Sequence, residues 1–393
     1  MNRRRSAASQ RNDELLLDAA AEEILAVGVD RLAMSAVARR AGLTTGALYS
    51  RYENVGELAA AVWTARVRDP HHELLDIAIR GLVDRDRSAP LDRLGAELQR
   101  ASATTLLAIE FLATARRVDE LEEVVLVDVQ SWLDDWHAAP RARDQRRRAQ
   151  VIYTLAVIWG VALHEIASPR ALDWSPITKG LRLSYARPVV IPTEPNASNQ
   201  FGPVVANTGN EGQNALIGSV AAIVSRVGLE RASATRIARR AGLSAGSIYA
   251  RYRTKAELLR HAVDVLLAAR LADDLAFNEF IFTAADPGSA TAGVVGGYLS
   301  APRREWRRFR IEAQLAARHQ PELASTLDRI QESAIRDYVD ALGARNDDER
   351  AALDLIARFA HVTPLGLAFA DLVVPGVPEI DWRLVLNPLL SPQ

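Results

Sequence analysis

Apolar residues recur at helical spacing along most of the chain. Over 12–27, Leu16, Ala19, Ala20, Ile24 and Val27 share one face, which predicts an amphipathic helix. Two short helices follow, then a fourth that runs to about residue 80. Pro90 opens a helix extending to about Arg117, and the next covers about 119–138, with Val124, Val125, Val129, Trp132 and Trp136 on its apolar side. After Pro140 a long helix spans about 143–168, carrying Val151, Ile152, Leu155, Ile158, Trp159, Ala162, Leu163 and Ile166 inward. Pro169 stops it, and a short helix closes near 176–186. The pattern resumes near 214 with a shorter first helix. A long helix then reaches about 283, followed by segments at 287–300, 303–319, 321–342 and 347–373. The pattern predicts an all-α chain.

The two short helices near residue 40 have a sharper signature. Val37-Ala38-Arg39-Arg40-Ala41 is apolar on one side and basic on the other. Gly42 stands where a helix end calls for a left-handed residue. Leu43 plugs the turn, and Thr44 caps the next helix through its side-chain oxygen. Leu48 and Tyr52, one turn apart, point inward, leaving Thr45, Ala47 and Tyr49 near the outer face. This is a helix-turn-helix, whose second helix carries its N-terminal residues into the DNA major groove. Ala41-Gly42-Leu43-Thr44-Thr45-Gly46-Ala47-Leu48-Tyr49 recurs, 200 residues on and without a gap, as Ala241-Gly242-Leu243-Ser244-Ala245-Gly246-Ser247-Ile248-Tyr249. The chain therefore reads as two copies of one unit.

The first copy has Gly28, Ala33, Val37-Ala38, Ala41-Gly42-Leu43-Thr44, Gly46, Leu48-Tyr49, Tyr52 and Glu57-Leu58. The second has Gly228, Ser233, Ile237-Ala238, Ala241-Gly242-Leu243-Ser244, Gly246, Ile248-Tyr249, Tyr252, Lys255 and Glu257-Leu258. Both resemble the N-terminal domain of tetracycline-repressor-like (TetR-family) regulators, over roughly 12–60 and 212–260. The resemblance implies a three-helix DNA-binding domain followed, in each copy, by a helical ligand-binding and dimerisation domain. Ordinary members pair as homodimers on a palindrome. Here both subunits are fused, which implies an intramolecular pseudo-dimer whose interface includes 143–168 and 347–373. The resemblance also implies phosphate contacts from Tyr49, Arg51, Tyr249, Arg251 and Lys255. Base-edge contacts fall to Thr44, Thr45 and Ala47, and to Ser244, Ala245 and Ser247. Tyr52 and Tyr252 are read as core residues.

The resulting organisation is a basic arm at 1–11, helix-turn-helix domains at 12–60 and 214–260, helical domains at 61–186 and 261–393, and a linker at 187–213 rich in proline, glycine and asparagine. Extended, that linker reaches roughly 90 Å, beyond the ~34–36 Å between adjacent half-sites. Asp173-Trp174 and Asp381-Trp382 follow the long helices at comparable places, so the repeat includes the C-terminal domains.

Composition adds bounds. At 393 residues the chain has room for several domains, and its 49% hydrophobic content supplies sizeable cores. Without cysteine there is no disulfide or thiolate site, consistent with the cytosol, and no apolar run is long enough to predict a membrane span. Net charge is −1, so distribution matters more than total. Residues 231–260 carry a net +7, whereas 31–60 carry +2. The first copy recovers charge from its arm, where Arg3, Arg4 and Arg5 are placed to touch phosphate or minor groove.

The copies also differ at particular positions. Ala33 replaces the capping hydroxyl that Ser233 keeps, and Glu53 and Val55 stand where the second copy has Arg253 and Lys255. A hydroxyl at Ser247 can bond a base edge, while Ala47 offers only apolar contact. The expectation is an imperfect two-half-site operator read more strongly by the second copy. A small apolar or aromatic effector is expected to release the protein as a repressor. Candidate pocket groups are Trp132, Trp136, Trp159 and His164 in the first unit, and Trp306, His319 and His361 in the second. No cofactor, metal or catalytic residue is expected: His71 and His72 point different ways, and Gly293-Val-Val-Gly296-Gly297 lacks the dinucleotide-binding context. The alternative is a ligand sensor or protein-interaction partner that has lost DNA reading in one or both copies.

Overall fold

The computed structural model describes residues 7–191 and 201–390. It is all-α, with no strand among those residues. In order the helices are α1 (Ala7–Val27), α2 (Met34–Arg40), α3 (Thr45–Tyr49), α4 (Val55–Val62), α5 (Arg68–Ala78), α6 (Leu91–Gln99), α7 (Ala103–Thr114), α8 (Asp119–Leu121), α9 (Val127–Asp135), α10 (Gln145–Ala167) and α11 (Ser175–Ala186). The second half adds α12 (Glu211–Arg231), α13 (Ala234–Arg240), α14 (Ala245–Tyr249), α15 (Lys255–Thr283), α16 (Pro287–Leu299), α17 (Arg304–Ala317), α18 (Pro321–Leu342), α19 (Asp347–Val373) and α20 (Arg383–Leu390).

Several expected boundaries move. Helix α1 begins at Ala7 rather than 12, so Arg11 lies on it, and Arg3, Arg4 and Arg5 fall outside the described residues. The single helix expected over 90–117 is two. Arg100 is extended, and Ser102 starts a new helix by accepting from the Thr105 N–H at 3.2 Å. The fourth helix runs on past residue 80 to Val83, because wider π turns at Trp63–Val67 and Ile79–Val83 keep it helical. In the second half, Asn210 caps α12 three residues earlier than expected, and Gly228 (φ 77°) breaks its last turn, as Gly28 (φ 83°) ends α1.

The chain forms two compact units, Met1–Asp76 with Ala101–Asp135, and Ile77–Arg100 with Trp136–Gln393. In the first, α1 packs on α2, α4 and α7. Its core is Leu16, Ile24, Val37, Leu48, Leu58 and Trp63, the last edge-on to Phe111 at 5.9 Å.

The second unit is built around α10 and α19, which pack along each other with α17 and α18 against both. They run in opposite directions: Arg148 reaches Pro375 and Gly376, while His164 meets His361. At the crossing the backbones touch. A Cβ on Gly160 would lie 2.3 Å from the Val362 carbonyl oxygen, and one on Gly366 would lie 1.7 Å from that of Ala156. No larger residue fits either place. Both helices are long and apolar enough to cross a membrane by composition, but 89% and 61% of their apolar windows are buried within the protein. Trp174 and Trp382, each after its long helix, are both buried. The linker is partly docked: Phe201 is buried beneath the Arg303 guanidinium, and the Val190 carbonyl accepts from Asn387 Nδ2 at 2.9 Å.

Candidate nucleic-acid interface

In the first unit α2 ends at Ala41, and Gly42 takes the left-handed conformation (φ 67°) that turns the chain. The Leu43 N–H reaches the Ala38 carbonyl at 2.9 Å, and Thr44 Oγ1 accepts from the Ala47 N–H at 3.2 Å. The second unit repeats this geometry, with Gly242 at φ 70°, Leu243 bonded to Ala238 at 2.9 Å, and Ser244 Oγ accepting from the Ser247 N–H at 3.2 Å. In each copy the next helix opens with a reciprocal cap. Asn54 Oδ1 accepts from the Glu57 N–H while Glu57 accepts from the Glu53 N–H; Thr254, Glu257 and Arg253 do the same. That pattern was legible in the sequence but carries no chemistry beyond helix initiation.

Leu48 and Ile248 are buried, which orients each recognition helix. Thr44, Thr45 and Ser244 are exposed, and Ala47 and Ser247 are partly so. Tyr49 and Tyr249 are exposed, at 57% and 60%. Tyr252 is buried, its hydroxyl 2.7 Å from His261 Nδ1, and Tyr52 is half-buried. The Ser247 hydroxyl lies 2.9 Å from that of Ser244, which leaves it an acceptor for a base-edge donor. Ser233 caps α13 by accepting from the Arg236 N–H at 3.3 Å, whereas Ala33 makes no side-chain cap.

The cations differ sharply between the copies. Arg51 is held inside its own unit, paired with Asp13 of α1 and donating to the Ala47 carbonyl at 2.6 Å. Arg40 is held by Glu23 at 2.9 Å and Glu22 at 3.4 Å. Arg251 and Arg240, at the matching places, are exposed and have no partner among the described residues. The positions 200 residues beyond Asp13, Glu22 and Glu23 are Gln213, Ala222 and Ile223, so α12 has no carboxylate to offer there. Lys255 is a different case. Its Nζ donates to the Leu229 and Glu230 carbonyls at 3.0 and 3.4 Å, fastening the end of α12 to the start of α15.

The expected pocket residues are mostly scattered. Trp132 donates to Asp76 Oδ1 at 3.0 Å and lies 5.5 Å from the His72 ring, which sits 3.4 Å from Asp128; Trp63 donates to that same carboxylate at 3.3 Å. Burial pushes His71 down to about 3 and also lowers His72. Trp136 lies under the Arg147 guanidinium at 5.9 Å. Trp159 is edge-on to Phe369 at 5.4 Å in the α10–α19 core, and Trp306 packs on Phe309 at 6.0 Å. His319 is half-buried just past the end of α17. His164 and His361 meet, with ring centres 5.6 Å apart. No group of three metal-ligating side chains occurs among the described residues.

The model of the bacterial regulatory proteins, tetR family, matches the chain twice, at residues 16–62 and 220–262. No curated protein matches it. Each matched region is one of the two helix-turn-helix modules just described, with its left-handed glycine, its capped recognition helix and its exposed tyrosine. Both modules thus belong to the TetR family of helix-turn-helix regions, and one polypeptide carries the two in tandem.

Proposed function

We propose that the protein is a cytoplasmic transcriptional repressor that reads an imperfect two-half-site operator and is released by a small molecule. The observation that carries the DNA reading is the second module. It presents Tyr249, and Arg240 and Arg251 with no partner among the described residues, beside a recognition helix opening with Ser244, Ala245 and Ser247. Arginine and tyrosine contacts to phosphate fix register, and side chains at the helix start read base edges. The first module supplies Thr44, Thr45, Ala47 and Tyr49 with its arginines largely neutralised, so its contribution is weaker and leans on Arg3, Arg4 and Arg5. The α10–α19 pairing joins the halves as two subunits would be joined, and fusion makes that pairing independent of protein concentration.

A gel shift with the DNA flanking the gene, at two salt concentrations, is the direct test. Salt-sensitive, sequence-selective retardation supports the reading. Absence of retardation at low salt favours the second reading, a ligand sensor that no longer reads DNA, which the ion-paired Arg40 and Arg51 favour for the first module alone.

A further inference from the structure

The two faces of the α10–α19 crossing are not equivalent. The 206-residue offset that relates Gly160 to Gly366 places Ala370 opposite His164 in the repeat, and Leu155 opposite His361. Leu155 and Ala370 are fully buried and apolar. One end of the crossing is therefore greasy, and the other holds two histidines.

Around those histidines the polar groups are poorly matched. His164 is 3% exposed, and both of its ring nitrogens are buried with no hydrogen-bond partner. Arg310, on α17, is 7% exposed and turns Nη2 toward His361 Nε2 at 3.2 Å. No carboxylate lies within ion-pairing distance of Arg310 among the described residues. Two other buried arginines nearby are ion-paired. Arg307 pairs with Asp371 at 2.6 Å and donates to the Tyr298 and Ser300 carbonyls, and Arg358 grips Glu332 at 2.6 and 2.9 Å and Asp354 at 2.7 Å.

The two acids that act on His164, Glu332 and Asp328, are already committed. On α18, Glu332 is held by Arg358 and by Arg170 at 3.2 Å, and Asp328 accepts from the Ser168 hydroxyl. From α15, Arg270 adds another positive charge toward His361, alongside Arg310, His164 and Arg358. Burial and this field hold His361 well below its ordinary value, and burial, first among its causes, brings His164 down to about 4. Arg310 is thus a buried cation with no acidic partner among the described residues, which is destabilising and calls for a reason.

We infer that Arg310, His361 and His164 form a binding site for a small anion, a carboxylate or phosphate group, reached from the side on which His361 keeps some exposure. The guanidinium supplies fixed charge and paired donors. The anion reverses the field at His361, which takes up a proton from solvent and becomes a second charged donor. Each histidine comes from a different half of the chain, so occupancy acts on the contact that joins the halves. That regulatory role rests on the DNA reading proposed above; the binding itself does not.

The test uses the full chain in chloride buffer at neutral pH, titrated separately with inorganic phosphate, acetate and succinate. Thermal melting and heteronuclear NMR of the seven histidine rings are followed. At least one anion is expected to raise Tm saturably by several degrees and to move the His361 resonances toward the protonated form. Calorimetry in two buffers of different ionisation enthalpy should register proton uptake. Arg310→Met should weaken that affinity at least tenfold and raise Tm in anion-free buffer. His361→Leu, which copies the apolar residue at 155, should also weaken it. Silence from all three anions, or equal binding by both variants, overturns the site. Binding with unchanged operator affinity overturns only the regulatory role. Failure of the protein to bind DNA at all overturns the DNA-reading proposal and leaves the anion site standing.

Discussion

The two helix-turn-helix modules share a backbone and differ in what surrounds it. Glycines in the left-handed region, hydroxyl caps on the recognition helices and outward tyrosines recur at a spacing of 200 residues. Their first helices diverge. Helix α1 brings Asp13, Glu22 and Glu23 against Arg51 and Arg40, and Asp18 and Glu14 against Arg66. Helix α12 presents Gln213, Ala222, Ile223, Gly218 and Asn214 at the same places, with Leu266 matching Arg66. A motif specifies where a recognition helix points. Whether cations beside it are available to a phosphate is decided by a neighbouring helix outside the motif. Helix α1 thus ties down Arg40 and Arg51, two of the cations of the first module.

The largest expected effect concerns the second module. Tyr249→Ala with Arg251→Ala should weaken operator binding by at least tenfold. The slope of log affinity against log salt should become shallower by about 0.9 for each phosphate that is no longer neutralised. Tyr49→Ala with Arg51→Ala should cost less, and equal losses in a fluorescence-anisotropy titration would erase the asymmetry. Lys255→Ala is also expected to weaken binding, but thermal melting should show lower stability too, because Nζ holds two carbonyls at the end of α12.

Next comes operator shape. Selection from random duplexes should return two unlike half-sites, the better defined one protected by the second module; a perfect palindrome would contradict this.

The charge difference itself can be moved. Gln213→Asp should tie down Arg251 and weaken binding several-fold, while Asp13→Asn should release Arg51 from its carboxylate and strengthen binding to a smaller degree, both read at low salt.

The smallest effect is in the caps. Ala33→Ser should stabilise the first module, and Ser233→Ala should destabilise the second, each by about 1 kcal/mol in chemical denaturation.

Most of the fold was legible without coordinates. Helical periodicity sets which face of each segment is apolar, and Gly42, Gly242, Pro169 and the capping hydroxyls mark ends through local backbone preference alone. Where local signals were weak, the boundaries slipped. Nothing in Arg100-Ala101-Ser102 announces a break as firmly as a proline would, and the π turns within 55–83 leave no periodic trace over so few residues.

Sequence was enough to place Thr44, Tyr49, Ser244 and Tyr249 exposed at the recognition helices, because the helix-turn-helix is a local object. It determined a duplicated, all-α chain with two helix-turn-helix regions. Tertiary structure alone decided which arginines face solvent unpaired, since Arg51 and Asp13 are distant in the chain and their pairing depends on how α1 lies. It likewise decided that His164 and His361 meet beside the buried Arg310. Those three residues come from separate helices, and only the backbone contact at Gly160 and Gly366, with α17 laid against it, brings them together.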